Sequence, residues 1–167
     1  AEVRSEKLEA WVKLCVQLAW VGEHREDAEL CEEAIALSTR LLDEVHDPRD
    51  RAFAFLARGS AYRGAKELES ALRDFDEGLE CKAAPELFYM RAKTLWELKR
   101  DPKKNFGDAC DFLLLENVSS SYVRSMLAIA WELYPKHDDQ ERMSEVITHY
   151  LVTNPSKWKF WARLSLL

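Results

Sequence analysis

Two runs decide the reading of the fold: Ala52-Phe-Ala-Phe-Leu-Ala-Arg-Gly-Ser-Ala-Tyr-Arg63 and, after a short break, Leu68-Glu-Ser-Ala-Leu-Arg-Asp-Phe-Asp-Glu-Gly-Leu-Glu80. Phe55, Gly59 and Tyr62 stand at i, i+4 and i+7, so they share one side of a helix. Ala71, Phe75 and Gly78 repeat that spacing on a second helix. Gly59, Ala71 and Gly78 let the two helices approach closely, while Phe55, Tyr62 and Phe75 fill the space beside them. Pro85 cannot continue the second helix and restarts the chain. The stretch predicts one helix–turn–helix unit of about 34 residues.

The pattern recurs on both sides. From Pro85 onward, Phe88, Arg91, Ala92 and Leu95 match Phe55, Arg58, Gly59 and Tyr62 without a gap. A turn over Lys99–Asn105 leads to a helix with Ala109, Phe112 and Leu115 in the roles of Ala71, Phe75 and Gly78. Upstream, Lys7 to Val21 carries a wide apolar face. Val21-Gly22-Glu23 reads as its turn, and a second helix runs from about Arg25 to Val45. His46 to Asp50 is a loop with Asp50 as candidate N-cap. Downstream, Met126 to Leu133 forms a helical face that Tyr134-Pro135 ends. Asp138 or Asp139 opens the partner helix, and Asn154-Pro155 closes it. Trp158, Trp161, Leu164 and Leu167 begin a further helix.

In length and signature positions these hairpins resemble the tetratricopeptide repeat. The resemblance implies an all-α, right-handed superhelical solenoid of antiparallel hairpins forming a single domain over 1–167. Its repeats fall at 7–47, 51–84, 85–117 and 121–155, with a terminal capping helix at 156–167. In this register Trp11, Cys15 and Leu18 match Phe55, Gly59 and Tyr62.

Composition narrows the function. With 47% hydrophobic residues, the 167-residue chain can bury a real core, which excludes disorder. Net charge is −6 and no basic run appears, which speaks against nucleic acid. No apolar run is long enough to span a membrane, and the N-terminus has no secretory apolar region. Cys15, Cys31, Cys81 and Cys110 stand far apart among apolar residues, with no Cys-x-x-Cys pair. They read as core side chains of a reducing, cytoplasmic setting, with no metal and no cofactor.

No catalytic constellation emerges. Glu145 and His149 share a helix face at i, i+4 but lack further ligands; His24, His46 and His137 lie at loops. Asp74, Asp76, Glu77 and Glu80 read as the solvated face of a packed helix, and Arg58 and Arg91 as structural salt-bridge partners. The expectation is not an enzyme but a scaffold or adaptor that holds a peptide or helix of a partner protein.

The resemblance implies where: the concave groove, lined by the first helix of each hairpin. In that register Val12, Val16, Ala57, Tyr89, Met90 and Trp96 offer an apolar surface rimmed by Arg63, Lys93 and Glu97. Some relatives of that family grip a chaperone's C-terminal carboxylate with Lys, Asn and Arg. Here those positions hold Val12, Val16, Ala57, Glu86 and Met90, which cannot make charge-assisted bonds to a carboxylate, so a co-chaperone is the lesser reading. A third reading is a self-assembling subunit of a larger complex. It would form homo-oligomers through a C-terminal helix whose Trp158, Trp161 and Leu164 serve as cap or interface.

Overall fold

The computed structural model describes residues 2–115, 120–137 and 139–153. These residues form eight α-helices and no strand: α1 Glu2–Arg25, α2 Ala28–Glu44, α3 Pro48–Gly64, α4 Leu68–Cys81, α5 Pro85–Leu98, α6 Pro102–Leu114, α7 Ser120–His137 and α8 Gln140–Thr153. They fall into two compact units, Ala1–Arg100 and Asp101–Leu167. The boundary cuts the hairpin expected at 85–117, leaving α5 in the first unit and α6 in the second.

Helix starts follow from two residue types. Pro48, Pro85 and Pro102 each take a first-turn position, where a missing N–H costs nothing. Asp47 is the N-cap of α3, its Oδ1 accepting from the backbone N–H of Arg49 (2.9 Å) and Asp50 (3.3 Å). Asp50, expected as the cap, instead lies inside the first turn. Asp27, Asp101 and Asp139 cap Leu30, Lys104 and Arg142 in the same way. Arg51 closes the other end of α2, donating to the carbonyls of Leu42 (3.2 Å) and Val45 (3.3 Å).

Two helices outlast their expected stops. Gly22 is not a turn: α1 continues through it to Arg25, and the reversal comes at Glu26, which takes a left-handed φ of 53°. Gly22 serves contact instead, because a Cβ there would lie 2.8 Å from Cys31 Sγ. α7 likewise runs through Pro135 to His137. Proline removes one hydrogen bond near a helix end and need not stop the last turn.

The first unit is organised around α3. Ala52, Ala54, Phe55, Leu56, Ala57, Gly59 and Ala61 are all buried, which places apolar residues around its whole circumference. Such a helix is enclosed by others, and α3 touches α1, α2, α4 and α5. Small residues make this enclosure feasible. A Cβ on Gly59 would meet the Phe75 ring at 2.5 Å, and one on Gly64 would meet Cys31 Sγ at 2.5 Å and Glu23 Cα at 3.0 Å. One apolar cluster joins Val12, Cys15, Leu41, Val45, Ala54 and Ala57; a second joins Ala52, Leu56, Ala71, Phe75 and Leu87, and Phe53 packs against both.

In the second unit α6 takes the central place. Phe106, Ala109, Cys110, Phe112 and Leu113 are buried together with Asn105 and Asp108, covering more than half of its circumference. Two neighbours are needed to cover so broad a face, and α7 and α8 both pack on α6. Arg142 of α8 pairs with Asp111 of α6.

Candidate functional site

Along α1, Val12, Cys15 and Ala19 face the core, while Lys13, Gln17 and Trp20 point outward one strip further round. Val16 lies between the two strips and packs partly against the core. Where this border meets the start of α3, the surface opens into a hollow of about 540 Å³. From α1 it takes Val12, Lys13, Val16 and Gln17; from the α3 side, Asp47, Arg49, Asp50 and Phe53. Val12, Val16 and Phe53 are its apolar part, and the rest of its rim is polar, with charges of both signs. Arg49 lies over the Phe53 ring at 5.9 Å, so part of that rim also covers the apolar part. Asp47 is committed to capping α3, leaving Asp50 as the acidic group nearest the helix N-terminus, where a carboxylate is favoured.

Trp20 follows Val16 by one turn of α1 and is 55% exposed, a large value for tryptophan. His24 stacks on it with ring centroids 4.2 Å apart, and His24 Nδ1 donates to the Trp20 carbonyl at 2.8 Å. The apolar periodicity of α1 does not single out this pair, because Trp20 and His24 lie on its exposed side. The signal that could have found it was a tryptophan one turn beyond Val16 on the polar side.

The structure divides the expected groove residues. Val12 and Val16 do line the hollow. Ala57 does not: at 1% exposure it is sealed in the α1–α2–α3 cluster, because α3 is packed by four other helices. Arg63, expected as an exposed rim charge, is buried at 5% exposure. Its guanidinium donates to Glu23 of α1 (3.2 Å) and to Thr94 (2.8 Å) and Glu97 (2.7 Å) of α5. Lys93 approaches the same Glu23 at 3.6 Å. Tyr89, Met90, Lys93 and Trp96 are half-buried on α5, outside the hollow. Trp158, Trp161 and Leu164 lie outside the described residues.

Other charged groups tie helices together. Arg58 grips Asp74 with two hydrogen bonds of 2.8 Å, and Arg91 donates to Asp76 at 2.6 Å, so both arginines bridge helices as expected. Asp74 is therefore not part of a solvated face: at 5% exposure it is buried against α3. The hydrogen bonds to Asp74 raise the Arg58 pKa, against the opposing effect of burial.

All four cysteines are free thiols. Burial pushes the Cys15 and Cys31 thiols above their usual range, and it pushes Cys110 up to about 12. Such thiols are protonated and poor nucleophiles at neutral pH. Glu145 and His149 border an open hollow of about 570 Å³ with Leu114, Glu141, Ser144 and Thr148. Among the described residues no group of three or more His, Cys, Asp and Glu is placed to hold a metal ion. Among them, too, no helix is long and apolar enough to cross a membrane.

Comparison with protein-family models, with curated proteins and with solved structures finds no match to this chain.

Proposed function

We propose that the chain is a binding module that holds a helix or extended segment of a partner protein on the face shared by α1 and α3. One observation carries this reading: a hollow of mixed lining, its apolar part formed by Val12, Val16 and Phe53, opens one helical turn from an exposed tryptophan, Trp20. An aromatic anchor beside an apolar recess with a charged mouth is the usual make-up of a protein-binding hot spot. The packing order of the first unit supports reading it as stacked, tetratricopeptide-like hairpins of a solenoid. α1 touches α3 and α3 touches α5, first helix to first helix, besides the contacts within α1–α2 and α3–α4. Three buried free thiols support a reducing, intracellular setting.

The test is comparative capture from native lysate with mass-spectrometric identification. The baits are the wild-type chain, Val16→Glu, Trp20→Ala and a control, Val152→Glu, at an exposed position of α8. A partner on this face is retained by the control, lost by Val16→Glu, and weakened about 30-fold by Trp20→Ala if that side chain is worth ~2 kcal/mol. Unchanged capture by a Val16→Glu chain that keeps its helical circular dichroism would refute the reading.

A further inference from the structure

Two kinds of contact hold α5 in the first unit. Near its start the contact is apolar. Leu87 seats on Gly78 of α4, where a Cβ would lie 2.8 Å from Leu87 Cδ2, and Met90 packs on the same cluster around Phe75. Ala92 and Leu95 extend this buried side. Near its end the contact is polar: Thr94 and Glu97 both accept from Arg63, which also donates to Glu23 of α1. The difference matters, because apolar contact is non-directional and tolerates rotation. A guanidinium fork bonded to fixed acceptors does not.

We propose that Arg63 is a latch that sets the angle of α5 against α1 and α3, with Leu87 on Gly78 as its pivot. One buried cation spans three helices. The other ion pairs at that end, Lys93 with Glu23 (3.6 Å) and Arg100 with Glu69, are more exposed, so releasing Arg63 loosens α5 far from the pivot. Leu87 to Glu97 spans about 15 Å at the rise of an α-helix. The ordinary scatter of helix crossing angles, about 15–20°, would then displace that end by about 5 Å. Tyr89, Met90, Lys93 and Trp96 ride on this lever, so the latch also decides where they stand relative to α1. The latch acts on α5 alone, whatever the hollow binds.

The experiment is a pair of nitroxide labels at Gln17→Cys on α1 and Lys99→Cys at the end of α5, both exposed, in a Cys81→Ser background. Pulsed electron resonance reads their distance in the full chain. Arg63→Met keeps the aliphatic stem and removes the fork; Glu97→Gln weakens a single arm. With the helical circular dichroism retained, Arg63→Met should shift or broaden the distance by about 5 Å, and Glu97→Gln should move it less in the same sense. A purely stabilising network would lower the melting temperature and leave the distance as in wild type, and that result overturns the latch. If Arg63→Met fails to fold, Glu97→Gln decides alone: an unchanged distance refutes the proposal.

Discussion

Replacing Gly59 by alanine tests the close approach of α3 and α4 directly. A Cβ at this position would sit 2.5 Å from Phe75 Cε1, 2.9 Å from Cδ1 and 3.0 Å from Cζ. Carbon atoms prefer separations of about 3.5–4.0 Å, so the ring must retreat by about 1 Å. It has little room, since Phe75 is fully buried among Ala52, Leu56, Ala71 and Leu87. Overpacking of this kind costs about 1–3 kcal/mol, and a fully enclosed ring belongs near the upper end. Alanine returns about 1 kcal/mol of helix propensity, leaving a net loss of about 2 kcal/mol. With a urea slope of about 2 kcal/mol/M, the unfolding midpoint followed by circular dichroism should fall by about 1 M. Phe75→Leu should relieve the clash, so the double variant should lose at least ~0.5 kcal/mol less than the sum of the single ones. A Gly59→Ala midpoint equal to or above wild type, or strictly additive losses, would refute the reasoning. Gly107→Ala in α6 is the matching control: no atom lies within 4 Å of its added Cβ. It should gain about 0.5–1 kcal/mol, as an unobstructed helical glycine does.

Arg58→Ala should cost about 2–3 kcal/mol, less than a fully buried pair because Arg58 is partly exposed, since it strands the Asp74 carboxylate in the interior. Asp74→Asn should recover part of that loss in the Arg58→Ala background, read by urea titration. Asp47→Ala should remove about 1 kcal/mol by uncapping α3, and Asp50→Ala distinctly less. Cys110 holds its proton more tightly when folded, with a pKa of about 12 against an ordinary 9.0. Its stabilisation is therefore whole below pH 9 and declines as pH rises toward 12. Wild type should lose up to about 1.4 kcal/mol per pH unit in that window relative to Cys110→Ser, measured by urea unfolding across the range. At pH 8 a thiol reagent should titrate the half-buried Cys81 first, and all four thiols only after denaturation.

The helical class was legible because its signals are local. Apolar spacing of i, i+4, i+7 marks helix faces, and proline or Asp at a boundary marks a start, so the positions of α3, α4 and α5 follow closely from the residues. The pairing of Arg58 with an acidic neighbour was legible too, from its place beside the small residue of each hairpin. The candidate site was legible in part. Val12 and Val16 line the hollow, yet Phe53 and Arg49 join them only because α3 begins beside the middle of α1, which no single-helix pattern encodes.

Glycine shows where local reading stops. Gly22 looks like a turn because glycine tolerates unusual backbone angles. Here no described glycine has positive φ, and that conformation falls to Glu26, Lys66, Lys99 and Asp101. What Gly22, Gly59, Gly64 and Gly78 supply instead is room for Cys31, Phe75 or Leu87 arriving from another helix. Charge follows the same logic. Arg63 and Asp74 have the composition of surface residues, and burial is open to them only because partners from other helices satisfy their hydrogen bonds. By itself, the sequence determined which segments become helices and which side of most of them is apolar, since both depend on residues within a few positions of one another. Only the tertiary structure decided that α3 is packed by four other helices, burying Ala57 and Arg63 and leaving the opening at Val12, Val16 and Phe53. Enclosure depends on how many neighbours a helix has, and those neighbours lie tens of residues away along the chain.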